Sequence, residues 1–243
     1  MSQPRIGIYG SVPKNTEIFE TITSVLGYDA YRVREVEQDS VVSEVCGRAK
    51  TFGCHWTIYD IFTPTDYDAM MRWLRTSMAN YFSFKFTFSG FAGYVRGDYQ
   101  GKSVYSTNQK TVLALDFDTE SQVGFAKLHE EIVTGVQRFR QKIEPEFDKE
   151  LFQGVPELWK LITKYGAPYV LENYEPHLTL ASALDGSDKT LNRLVEYLNV
   201  NYGDKILNRP VEFDKIYIFE EIVDGKFAGY FRVKDEVSLG QYK

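Results

Sequence analysis

The chain has 243 residues, with 28 basic against 34 acidic side chains and a net charge of −6, a balance that argues against a surface built to track long nucleic acid. Its 43% apolar and 26% charged residues are those of a globular protein with a sizeable core, which excludes disorder as the main state. No apolar run reaches the roughly 18 residues of a membrane helix, and the opening MSQPRIGIYG lacks the basic and apolar parts of a signal peptide. Cys46 and Cys54 form neither a disulfide framework nor a CxxC pair, so the expectation is a cytoplasmic protein with reduced thiols and no membrane partner.

In chain order, residues 4 to 10 read as a strand. Asn15 to Leu26 reads as a helix, with Gly27 where a C-terminal cap belongs. Residues 38 to 52 show no clear period and fit a loop or a short helix. CHWTIYDIF, 54 to 62, mixes β-branched and aromatic residues and stops before Pro64, which is strand chemistry. Thr65 and Asp66 are candidate N-caps of a helix that buries Met70, Met71, Leu74 and Met78. Strands follow at 84 to 95, 103 to 107 and 111 to 118, joined by turns rich in Gly, Asp and Asn. The longest helical pattern, Glu120 to Lys142, carries Val123, Leu128, Ile132, Val136 and Phe139 along one face. His129, beside Glu130 and Glu131, reads as an exposed helical histidine.

A second helical stretch, 146 to 165, is interrupted or restarted at Pro156. Residues 177 to 184 form a strand, 188 to 201 a helix, and 211 to 219 and 226 to 233 two more strands. Both halves then share one order: strand with HxT, helix, strand, turn with Gly-Lys, aromatic strand. It runs from His55 through Phe88 to Gly101-Lys102, and again from His177 through Phe213 to Gly225-Lys226. The recurrence predicts an α+β fold, a single bilobal domain over 1–243 duplicated about a pseudo-two-fold axis. Two antiparallel sheets would face a central cleft, with helices outside. The lobes fall at about 50–118 and 170–238, and a helical bridge lies near 120–166.

The sharpest feature is His55-Trp56-Thr57 and His177-Leu178-Thr179, since two of only three histidines head the same tripeptide pattern. Alternation along a strand puts His and Thr on one face and turns Trp56 and Leu178 into the core. Pairing two such strands assembles two imidazoles and two hydroxyls around one spot, which suits a phosphodiester. With an ordinary pKa near 6.5, one imidazole can serve as base and the other as acid, while the hydroxyls donate to phosphoryl oxygens. Two histidines without a third ligand of suitable spacing give little support to a zinc site. The glycines of SGFAGYVRGDYQGK have neither Walker nor GxGxxG setting and read as turns and bulges.

With both motifs in place, the sequence resembles the two-histidine (2H) phosphoesterase superfamily, whose members carry two HxT/S motifs on strands of a pseudo-symmetric bilobal α+β fold. Leu26-Gly27-Tyr28-Asp29-Ala30, Phe52-Gly53-Cys54-His55 and Pro176-His177-Leu178-Thr179 resemble, more narrowly, the bacterial branch associated with phosphonate metabolism. Trp56 departs from that branch's Phe-His-Ala-Thr. The resemblance implies a metal-independent phosphodiesterase, without cofactor, that hydrolyses a cyclic phosphodiester of a nucleotide or small molecule of the 2′,3′-cyclic phosphate type. It implies that His177 activates water, His55 protonates the leaving oxygen, and Thr57 and Thr179 hold the phosphate. The alternative is an RNA-end processing enzyme or 2′-5′ RNA ligase with RNA 3′ ends as partner. An alternative of another class is a nucleotide-binding protein without turnover.

Three tyrosines are further candidates for substrate binding. Tyr59, four residues beyond His55, shares its face by alternation and could stack a base or bond a phosphate, although packing serves it equally. Tyr9 lies on the first strand, which borders the groove in the resembled fold. Tyr174, just ahead of Pro176, could overhang the site from a loop. Arg96 and Arg232 read as solvated strand-end charges.

Overall fold

β1 (Ile6–Gly10) is buried along its whole length and forms the spine from which the site is built. The structure, a computed structural model, describes residues 4–95, 98–99, 102–103, 111–141, 152, 155–182 and 188–240. α1 (Glu17–Leu26) opens on Thr16, whose hydroxyl accepts from the Phe19 N–H, and closes on Gly27 at φ 78°, a left-handed turn that glycine makes without steric cost. β2 (Tyr28–Asp29) and β3 (Arg34–Glu35) form a short ladder. The aperiodic segment 38 to 52 contains the one-turn helix α2 (Ser40–Ser43), capped by Asp39, and a 3₁₀ helix at Gly47–Phe52. β4 (Trp56–Phe62) begins one residue after His55. α3 (Tyr67–Met78) takes Asp66 as its N-cap and buries all four predicted residues.

The expected strand at 84 to 95 divides into β5 (Phe84–Phe86) and β6 (Phe88–Val95), which join different sheets. β7 (Asp98–Tyr99) pairs with β8 (Lys102–Ser103); residues 104 to 107 of the predicted third strand lie outside the described residues, as do 146 to 151, 153 and 154 of the predicted helix and 183 and 184 of the predicted second HxT strand. β9 (Thr111–Phe117) leads into α4 (Thr119–Val136), and α5 (Pro156–Tyr165) starts on Pro156. β10 (His177–Ala181), α6 (Asp188–Ile206), β11 (Val211–Phe213), β12 (Lys215–Glu221) and β13 (Phe231–Ser238) follow. β13 starts later than the predicted 226. Gly225 and Gly229 take φ of 78° and 83°, and the Gly229 and Ile222 N–H groups bond Ile222 and Tyr230 carbonyls, so that stretch is a hairpin loop.

The strands form a four-stranded sheet, β13-β12-β1-β4, a three-stranded sheet, β10-β9-β6, and a β11-β5 pair. All of these pairings are antiparallel, so the α+β class with antiparallel sheets is as the sequence implies. Each large sheet draws strands from both halves of the chain. β4 shares a sheet with β12 and β13, whereas β10 pairs with β9, so the sheets do not follow the spans 50–118 and 170–238. Local pattern reveals a strand but not its partner, which is why the exchange was not legible. β4 and β10 are edge strands, and they lie against each other; α4 crosses β4, and α6 covers β6 and β9. Among the described residues, no helix is long and apolar enough to cross a membrane.

Trp56 is fully buried, with the rings of Phe86, Phe117, Phe125 and Phe213 at 5.1 to 5.6 Å. Its space comes from the next strand: Gly10 pairs with Trp56, and a Cβ on Gly10 would lie 2.1 Å from the indole. The large residue in the HxT motif is thus compensated by a missing side chain opposite. Gly10→Ala is expected to destabilise the fold by about 1–3 kcal/mol through overpacking, read from the denaturant midpoint; an unchanged midpoint would show that the indole can move aside.

Candidate active site

The two motif histidines are held in the same way. His55 Nδ1 lies 3.0 Å from the Gly53 carbonyl, and His177 Nδ1 lies 2.8 Å from the Glu175 carbonyl, in each case the residue two positions earlier. A carbonyl only accepts, so each Nδ1 carries the proton, and Nε2 is the basic nitrogen of the neutral ring. Trp56 and Leu178 are fully buried, while Thr57 and Thr179 are half-buried, which is the predicted alternation. The imidazoles are close enough that a charge on His177 disfavours one on His55. The neighbouring backbone is pinned as well: Ser11 Oγ donates to the Cys54 carbonyl at 2.7 Å, and Ser182 Oγ donates to the Cys46 carbonyl at 3.2 Å.

The surroundings of the two rings differ. His177 is partly exposed, but His55 is 8% exposed inside an aromatic box. Phe52 stacks on it at 4.9 Å, Tyr9 meets it edge-on at 4.8 Å, and Phe219 lies at 6.0 Å. Phe52 in turn stacks on Phe231 at 4.2 Å, so the plane of His55 is set by a column of rings. Loss of hydration lowers its pKa from 6.5 to about 4, against the raising effect of the Gly53 carbonyl; the charge of His177 adds to the lowering. His55 is therefore a neutral ring at pH 7. The exposed Arg48 flanks this column, its guanidinium 5.8 Å from the Phe52 ring.

Tyr9 is the tyrosine that the structure brings to His55, although its contact is to the imidazole and only 1% of it is exposed. Its ring lies back along β1 over Gly7, where a Cβ would meet it at 2.4 Å. Tyr59 does not share the face of His55. Tyr9 pairs with Thr57 but Ile8 pairs with Tyr59, so Ile58 is an extra residue, and this bulge turns both Ile58 and Tyr59 into the main core. The Tyr59 hydroxyl donates to the Tyr165 carbonyl at 2.6 Å and accepts from Gln137 at 3.1 Å. Strict alternation fails there because it assumes an unbroken ladder. Tyr174 reaches β4 rather than overhanging a groove: its hydroxyl donates to the Thr57 carbonyl at 2.8 Å.

His129 corrects the sequence reading. It is 1% exposed, because Phe125 and Val133, four residues to either side, place it on the buried stripe of α4, whereas Val123 is 52% exposed. The spacing of 125, 129 and 133 carried that signal, and the adjacent glutamates masked it. His129 Nδ1 donates to the Ile58 carbonyl at 2.6 Å, Nε2 accepts from the Leu171 N–H at 2.9 Å, and the ring stacks on Tyr174 at 3.7 Å. Burial lowers its pKa to about 4. Among the described residues, no three His, Cys, Asp or Glu side chains are grouped to hold a metal ion.

No curated protein matches the sequence. Solved structures with a similar outline include a phosphoesterase, 12% identical over 98% of this chain and 99% of that one, TM-score 0.46. E. coli LigT complexed with 3′-AMP is 12% identical over 97% and 98%, TM-score 0.45. Kluyveromyces marxianus Usb1 is 9% identical over 98% and 99%, TM-score 0.43. These are likenesses of outline alone. The second HxT strand, however, falls within a direct sequence match over 99–228, more than half of the chain. The chain belongs to the family that this match defines, described as a protein of unknown function (DUF1045).

Proposed function

We propose that the protein hydrolyses a cyclic phosphodiester of a small nucleotide, of the 2′,3′-cyclic phosphate type, by general acid and base catalysis at His55 and His177. The observation that carries this reading is the matched anchoring of the two imidazoles, each Nδ1–H on the carbonyl two residues back, with a half-buried threonine beside each. Kinship with the 2H phosphoesterase superfamily, and more narrowly with its phosphonate-associated branch, is part of the same proposal and rests on the two HxT motifs.

The burial of His55 favours, in the free protein, roles opposite to those the resemblance implies. A ring with a pKa of about 4 enters the reaction neutral, so Nε2 of His55 takes the proton from water. The water oxygen bonds phosphorus, the bond from phosphorus to one ester oxygen breaks, and that oxygen receives the proton carried by Nε2 of His177. The product is a phosphate monoester with a free hydroxyl, and exchange with solvent returns both rings to their starting states. Thr57 and Thr179 donate to the non-bridging oxygens, and the cationic acid offsets the charge that develops there. The acidic net charge favours a small ligand over long RNA.

The test is a panel of 2′,3′- and 3′,5′-cyclic mononucleotides, cyclic dinucleotides and ADP-ribose cyclic phosphate, assayed with a chelator present. Expected is one monoester product from a preferred member, undiminished by chelator. Turnover that disappears with the chelator and returns with a divalent ion would overturn the two-histidine reading. Binding without turnover would make the protein a nucleotide binder instead.

A further inference from the structure

β4 is an edge strand, and carbonyls on it are taken by side chains from two places, α4 and the segment that leads into β10. Tyr174 donates to the Thr57 carbonyl, within the first HxT motif, and His129 donates to the Ile58 carbonyl at the bulge. His129 and Tyr174 are stacked almost parallel, at 4°. The other nitrogen of His129 holds the N–H of Leu171, a residue kept at φ 56°, where a non-glycine side chain is strained. Burial pushes the Tyr174 phenol well above its ordinary value, so the hydroxyl remains a donor. Three residues after Tyr174, His177 begins β10, anchored on the Glu175 carbonyl. One stacked pair thus grips the backbone of the first motif and the approach to the second.

We propose that His129 and Tyr174 are positioning residues that set the separation of the two HxT strands, and so the distance between base and acid across the phosphorus. The proposal rests on the phosphodiesterase reading above. In-line displacement requires both rings in register with the reacting oxygens, and a misplacement of about 1 Å costs on the order of 100-fold in rate, whereas binding of the phosphate tolerates it better. Loss of the clamp therefore lowers kcat more than it raises KM.

Tyr174→Phe keeps the ring stack and removes only the bond to Thr57. The expected result is a kcat at least tenfold lower, a KM within about twofold of the wild type and a melting midpoint close to it, assayed well below that midpoint. His129→Asn is the second variant. Its amide nitrogen can replace Nδ1 toward Ile58, but its oxygen does not extend to where Nε2 meets the Leu171 N–H, and the same split between kcat and KM is expected. With only three histidines in the chain, ring ¹⁵N signals test the underlying reading without a substrate, because inorganic phosphate should move those of His55 and His177. An active wild type with Tyr174→Phe at full kcat, or losing rate only as it unfolds, would overturn the clamp alone. A wild type inert toward the whole panel and showing no phosphate-induced shift would overturn the phosphodiesterase reading and the clamp with it.

Discussion

His177→Ala is expected to lower kcat/KM by roughly 10²–10⁴, the ordinary contribution of one proton-transfer group, and His55→Ala by a similar factor. The double variant should lie near either single one, because in the proposed reaction acid and base act together and the first loss already disables the second. Folding is spared most clearly at His177, which is partly exposed, so its variant separates chemistry from stability. The pH profile carries the assignment of roles. With His55 as the proposed base and its pKa lowered to about 4, kcat/KM should stay level as pH falls through 6.5 and over the acid range in which the protein remains folded. An acid limb near the ordinary 6.5 would instead mean that His55 is hydrated in solution, and the box of Phe52, Tyr9 and Phe219 would not then be closed.

The second large effect is on stability. In the unfolded chain histidine titrates near 6.5, whereas His55 and His129 in the folded protein are lowered to about 4. Between those values the unfolded state binds protons that the folded state refuses. Stability is therefore fully present above pH 6.5, declines as pH falls through this window, and the histidine contribution stops changing below about 4. Each shift corresponds to roughly 3 kcal/mol, so together they remove about 6 kcal/mol, comparable to the whole stability of many domains. The carboxylates held low by their partners, such as Glu221 against Arg5 and Glu35 against Lys226, lose their contributions only at lower pH, near and below their unfolded values. Urea unfolding measured from pH 7 to 4.5 should show a proton uptake that rises to nearly two near pH 5, and to about one in His129→Asn. A pH-independent unfolding energy over that range would contradict the burial of both rings.

Much of the local geometry of the candidate site was legible in the sequence. The HxT tripeptides placed His55, Thr57, His177 and Thr179 correctly in relation to their strands because a period of two is a local property, and Trp56 and Leu178 turned inward as that period requires. Tyr59 was not legible, since one extra residue at Ile58 inverts everything beyond it and leaves no mark in composition. His129 was read by its neighbours along the chain, Glu130 and Glu131, when its neighbours on the helix, Phe125 and Val133, decide its surroundings. The exchange of strands between halves was out of reach for a deeper reason, since pairing partners are chosen by the tertiary fold and not by the segment itself.

That exchange bears on how the protein comes into being. β1 stands between β4 and β12, and Ile8 finds its partner at Ile218, so a chain emerging from the ribosome makes the first histidine early and must wait for its last quarter before the central strand is enclosed. Until then the indole of residue 56 and the aromatic rings around it have no finished shelter. Long-range closure of this kind slows folding.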